Sequence, residues 1–185
     1  MRMTYELGEG GSTGWGAFQC ELGVLRRLNS LGLWFAPRLM GCDDNELWIE
    51  TERISGAGPL HARLPDLQSN QIENVVSDLI TIDTHLYIQK IDYRPISADH
   101  ILIDRDGRAH LTGFGRSHID SELGDILFDS ILDPIECGLV DSQPARAFFA
   151  MLSGRRDEVY RYLVRSVRRV LPEILPRRVG RWSVS

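Results

Sequence analysis

Lysine is almost missing from this chain: of 21 basic residues only Lys90 is a lysine, and none lies upstream of it. A lysine reaching a bound phosphate from an early glycine-rich loop is therefore excluded. Cysteine is scarce too. Cys20, Cys42 and Cys137 stand far apart, odd in number, with no C-x-x-C and no Cys/His metal spacing. That argues against a disulfide framework or a zinc ribbon and for a reduced compartment, the cytoplasm. No apolar run approaches the roughly 18 residues of a membrane-spanning helix. No basic stretch followed by an apolar one marks a secretory leader. The glycines cluster in Gly8–Gly16, reading GEGGSTGWG. This run fits neither G-x-G-x-x-G nor G-x-x-x-x-G-K-[ST], so it reads as a linker rather than a phosphate loop.

What is present is ordinary for a globule in amount and uneven in placement. The 185 residues are 43% hydrophobic and 25% charged, enough for one domain or two small lobes sharing a hinge. The net charge of −5 hides an asymmetry: from Ala145 onward ten arginines face Asp157, Glu158 and Glu173, a balance of +7 that leaves −12 on the first 144 residues. An acidic body with a basic end follows. Asp157–Leu171 sets Val159, Leu163, Val164, Val167, Val170 and Leu171 on one helical face and Arg161, Arg165, Arg168 and Arg169 largely on the other. Two readings stand: a last packed helix with a solvated basic face, or a surface for an anionic partner.

Patterning predicts mixed α and β structure. Met1–Leu7 alternates as a short strand. Ala17–Leu31 carries Leu22, Leu25, Leu28 and Leu31 at helical spacing, with Gly32 as a stop. Pro37–Asp43 and Glu46–Ile54 read as strands around an Asp43-Asp44-Asn45 turn. Pro59–Arg63 reads as a short helix or turn, and Gln71–Leu86 as an amphipathic helix ending near His85, expected to be structural. Ile101–Ile103 and Ala109–Leu111 form a hairpin across Asp104-Arg105-Asp106-Gly107, with Gly107 supplying positive φ. Leu123–Leu132, with Asp125 and Asp129, and Gln143–Leu152 complete the predicted helices, the latter broken by Ser153-Gly154.

The most specific stretch is Ile91–Ser117, IDYRPISADHILIDRDGRAHLTGFGRS. It contains Tyr93-Arg94-Pro95, then His100-Ile101-Leu102-Ile103-Asp104, then Leu111-Thr112-Gly113-Phe114-Gly115. The frame resembles H-R-D-x-x-x-x-N-I-L-x-D followed by L-x-D-F-G, the catalytic and metal loops of the protein-kinase-like superfamily. The similarity is greatest to the small bacterial branch of lipopolysaccharide-core sugar kinases and related Ser/Thr-type kinases. Glu21, opening Glu21-Leu22-Gly23-Val24-Leu25-Arg26-Arg27-Leu28, matches the E-x-x-x-L-x-x-L helix of that family. Leu47–Gly56 resembles the strand entering its hinge.

The resemblance implies an α+β, minimal kinase-like fold. Residues 1–56 would form a truncated small lobe lacking two strands, residues 57–176 a mainly helical large lobe, and residues 177–185 a basic tail. The truncation implies either a minimal protein or one preceded by an upstream segment. The working residues, however, are replaced. Pro95 stands where the family has its catalytic Asp, His100 where a magnesium-binding Asn stands, and Gly113 where the metal-binding Asp stands. The strand lysine that would pair with Glu21 is absent, and Arg2 is expected to pair with it instead. A nucleotide, if held, would meet Glu21, Glu52, Arg53 and Ile54, the last three through backbone near the hinge.

These losses predict a pseudokinase, a regulator or scaffold that acts by binding a protein partner, with ATP as the candidate ligand and Mg²⁺ poorly served. A second reading is a rewired phosphotransferase acting on a lipopolysaccharide sugar or a protein hydroxyl. In it Asp99 replaces the lost Asn and Asp92 the lost base. A third is an anionic-surface or nucleic-acid module carried by the arginine-rich end. No aromatic-interleaved basic groove accompanies those arginines, although Trp182 adjoins Arg181, so nucleic acid is the weaker partner and the inner membrane surface the better one.

Overall fold

The computed structural model describes residues 1–5, 12–93, 98–119, 146–148, 150–152 and 154–155. Strand β1 (Arg2–Thr4) is followed by the long helix α1 (Ser12–Ser30) and strands β2 (Leu39–Asp43) and β3 (Trp48–Thr51). Both β1 and β2 pair antiparallel to β3, which lies in the middle of a three-stranded sheet. The turn between β2 and β3 forms as the Asp-Asp-Asn run predicts: Asp43 Oδ1 accepts the N–H of Asn45 at 2.8 Å and of Glu46 at 2.9 Å. Leu47 leaves that turn with φ of 49°, a left-handed step that its apolar side chain does not announce.

The glycine-rich linker is shorter than expected. Helix α1 already begins at Ser12, so Gly14 and Gly16 are helical despite their low propensity. Aromatic packing offsets that cost: Trp15 stacks on the fully buried Phe18 at 5.8 Å between centroids, and Tyr5 meets Phe18 edge-on. Leu22, Leu25 and Leu28 are buried as the spacing predicts. Leu31 is not; it lies past the helix end and is 49% exposed.

Beyond β3, the short strand β4 (Gly58–Pro59) and helix α2 (Leu60–Arg63) lead through a single 3-10 turn into helix α3 (Ser69–Ile88). Gln71 Oε1 accepts the N–H of Gln68 and closes the first turn of α3. Ile72, Val75, Val76, Leu79, Ile82 and Leu86 form its buried stripe. The His85 ring lies against Phe35 at 6.1 Å between centroids.

Strand β5 (Ile91–Asp92) follows α3, and β6 (Ile101–Ile103) and β7 (Ala109–Leu111) form the anticipated hairpin. Gly107 at its turn has φ of 75°. Strand β4, unheralded in the sequence, adds to the outer edge of β6, while β8 (His118–Ile119) pairs with β5. The side chains of α1, α3, β3, β6 and β7 join in one hydrophobic cluster with Phe148 and Leu152. Residues 146–148, 150–152 and 154–155 are helical, so Gly154 does not break the helix as predicted, while Ser153 lies outside the described residues. Asp125, the helix Asp157–Leu171 and the tail 177–185 lie outside the described residues. The molecule is a mixed α and β protein, and no helix among the described residues is long and apolar enough to cross a membrane.

Candidate functional site

Two strands and one turn bring the sequence-predicted positions together. The β6–β7 hairpin fixes the end that enters β6, where His100 sits, against the end that leaves β7, where Gly113 sits. The N–H of Thr112 donates to the His100 carbonyl at 3.0 Å and locks the two ends side by side. Gly113 is in the left-handed region, φ 72° and ψ 49°, and caps the 3-10 turn Phe114–Arg116.

The environment of Gly113 is the most telling geometry here. A Cβ at this position would stand 2.4 Å from His100 Nδ1, 2.6 Å from its Cε1 and 2.9 Å from its Cγ. The imidazole therefore occupies the volume that any side chain at 113 would need. His100 and Gly113 form one packing arrangement. A divalent oxygen-seeking cation does not fit this pair: one position offers no ligand atom, and the other offers a ring nitrogen turned onto the glycine. Among the described residues, no group of three or more His, Cys, Asp or Glu side chains converges as a metal site.

Tyr93 anchors the turn from below. It is 4% exposed, its hydroxyl donates to the Thr112 carbonyl, and its ring lies 5.1 Å from that of Phe114. Burial, with the nearby Glu21 charge, pushes its phenol well above the ordinary range. Arg94 and Pro95 lie outside the described residues.

Glu21 is placed by α1 against the same turn. It is 2% exposed, and the backbone N–H groups of Phe114 and Gly115 donate to its carboxylate. Burial raises its pKa to about 7; these two hydrogen bonds offset part of that rise. The expected pairing with Arg2 does not occur. Arg2 lies on the exposed side of the sheet, 3.3 Å from Glu46, with its guanidinium 4.1 Å above the Trp48 ring. The acid that the sequence analysis paired with a cation is instead held by backbone.

The two stand-in carboxylates are separated by environment. Asp92 is 5% exposed within β5, whereas Asp99 is largely exposed and pairs with His61 Nδ1 at 3.2 Å. Glu52, Arg53 and Ile54 follow β3 and share the lining of a cleft of about 500 Å³; Glu21 is not part of that lining.

Sequence reasoning missed an ionic brace beside this hairpin, between a buried carboxylate and a half-exposed guanidinium. Asp78, on α3, accepts from Arg108 Nε at 2.7 Å, from Arg108 Nη2 at 3.0 Å and from the N–H of Ala109 at 3.1 Å. Arg108 in turn lies 4.2 Å over the Trp34 ring. Asp104 binds His110 Nε2 at 2.9 Å. Burial pushes the Asp104 carboxyl up, but the hydrogen bonds from His110 and from the N–H groups of Arg108 and Asp106 outweigh it and leave the pKa lowered. A polar residue at a core position of the α3 stripe was the one available signal for Asp78. No protein-family model matches the chain, and no curated protein matches it.

Proposed function

We propose that this chain is a minimal kinase-like scaffold that has given up phosphoryl transfer and acts by binding, as a pseudokinase regulator or scaffold for a protein partner. The order of parts supports the reading: a strand, a helix carrying a buried glutamate, two strands, a hinge-like segment, a long helix, and a hairpin flanked by the altered loops. The single observation that carries it is the His100 ring lodged in the space a side chain at Gly113 would need. Phosphoryl transfer relies on positioning and on cations that offset phosphate charge. With those two positions closed to a divalent ion, the scaffold offers a shape rather than a reaction.

The rewired phosphotransferase reading has less support. Asp92 is buried, and Asp99 is engaged by His61. The arginine-rich surface reading rests on the ten arginines from residue 145 onward, eight of which lie outside the described residues.

The test is thermal melting of the protein with ATP, with and without Mg²⁺ or Mn²⁺, alongside a phosphate-release assay. A ligand that binds only the native state must raise the midpoint. The expected result is no divalent-dependent increment and no release above background. ATP turnover that requires a divalent cation and proceeds at an enzyme-like rate would overturn the proposal.

A further inference from the structure

The cleft beside the segment that follows β3 includes Glu52, Arg53 and Ile54, which the kinase-like resemblance assigns to a nucleotide through backbone; its side chains carry chemistry that the resemblance does not use. Its far wall is the loop between α1 and β2, and that wall is firmly held. Asn29 Nδ2 donates to the Pro37 carbonyl at 3.1 Å, while its Oδ1 accepts the N–H of Leu39 at 2.7 Å. The N–H of Glu52 donates to the Arg38 carbonyl at 2.8 Å, and that of Leu111 to the Phe35 carbonyl at 2.8 Å. The opening is therefore preformed.

The lining joins a fixed ring to loose charge. Trp34 is 37% exposed, braced by Arg108 over its face and by the edge of His110 at 5.7 Å. Arg108 is already paired with Asp78, and His110 Nε2 is already hydrogen-bonded to Asp104. Arg38 and Arg53 are exposed in the same lining and have no side-chain hydrogen bond or ion pair among the described residues; Glu52 supplies the opposing carboxylate. Two uncommitted guanidinium groups in a body with a marked acidic surplus point to an anionic ligand. Guanidinium forks match phosphate oxygens two at a time, and a cleft of about 500 Å³ has the size of a small-molecule site.

We propose that this cleft binds a phosphate monoester that also bears a flat heteroaromatic ring, with Arg38 and Arg53 on the phosphate and Trp34 against the ring. The site is distinct from the His100–Gly113 pair and does not depend on the kinase-like reading.

The experiment is titration of the full chain with AMP, adenosine and inorganic phosphate at low salt, read by tryptophan emission and melting temperature. AMP should give saturable quenching and a raised midpoint, and adenosine and phosphate should each bind more weakly. Arg38→Ala/Arg53→Ala should raise the Kd for AMP at least tenfold, and Arg53→Glu should do the same, while His100→Ala leaves it unchanged. Trp34→Phe should remove most of the quenching. Absence of AMP binding at millimolar concentration, or unchanged AMP affinity in both arginine variants, would overturn the proposal. Phosphate binding as tightly as AMP would overturn the role of the ring.

Discussion

The contact between His100 and Gly113 allows a quantitative test by a double-mutant cycle. Gly113→Ala adds the one atom whose surroundings are known: it would lie 2.4 Å from an imidazole nitrogen, on a backbone with φ of 72°. Left-handed backbone costs a residue with a Cβ about 1–2 kcal/mol. Forcing the ring aside adds about 1–3 kcal/mol of overpacking. The single variant should therefore lose about 2–5 kcal/mol, a large share of the stability of a small domain. In a His100→Ala background the steric part disappears and the backbone part remains, so the same substitution should cost about 1–2 kcal/mol. The coupling is then about 1–3 kcal/mol, measured by urea unfolding with the slope of the transition unchanged. Two costs that add to within about 0.5 kcal/mol would show that the ring does not occupy that space, and the argument against a metal at this pair would fall with it.

Three other outcomes follow from named contacts. Glu21 has a folded pKa of about 7, above its value of 4.5 in an unfolded chain. The folded state thus holds the extra proton between those values, and stability falls as pH rises from about 4.5 to 7. Glu21→Gln should flatten melting temperature against pH across that window and recover on the order of 3 kcal/mol at pH 8; an unchanged slope would refute the assignment. Asp78→Ala should orphan the buried N–H of Ala109 and release the half-exposed Arg108, costing about 1–3 kcal/mol in urea unfolding, whereas a loss under about 0.5 kcal/mol would refute the brace. Leu79→Ala, at a fully buried position of α3, should cost about 2–5 kcal/mol with cooperative unfolding retained, as calorimetry would show.

Some of this molecule was legible because the determinants are local. The stripe of α3 follows from apolar spacing, the β6–β7 hairpin from a D-R-D-G turn between Ile101–Ile103 and Ala109–Leu111, and the β2–β3 turn from Asp43. The α1 boundary was misjudged because glycine propensity is a local quantity, whereas the stacking of Trp15 on Phe18 and the packing of Tyr5 are tertiary. The partner of Glu21 was misjudged for a related reason. A cation was sought among charged side chains, but backbone amides, present at every position, carry no mark in a sequence.

Taken alone, then, the amino-acid sequence determined a mixed helix-and-strand chain, its acidic body and basic end, and the spacing of the turn residues between its strands. Only the tertiary structure decided that His100 and Gly113 form one interlocked unit, that Glu21 is held by the turn at Phe114, and that Arg38, Arg53 and Trp34 meet at one cleft. The reason is physical: periodicity and turn chemistry act over a few residues, while steric exclusion, desolvation and convergence of charge depend on segments distant in the chain being brought within contact.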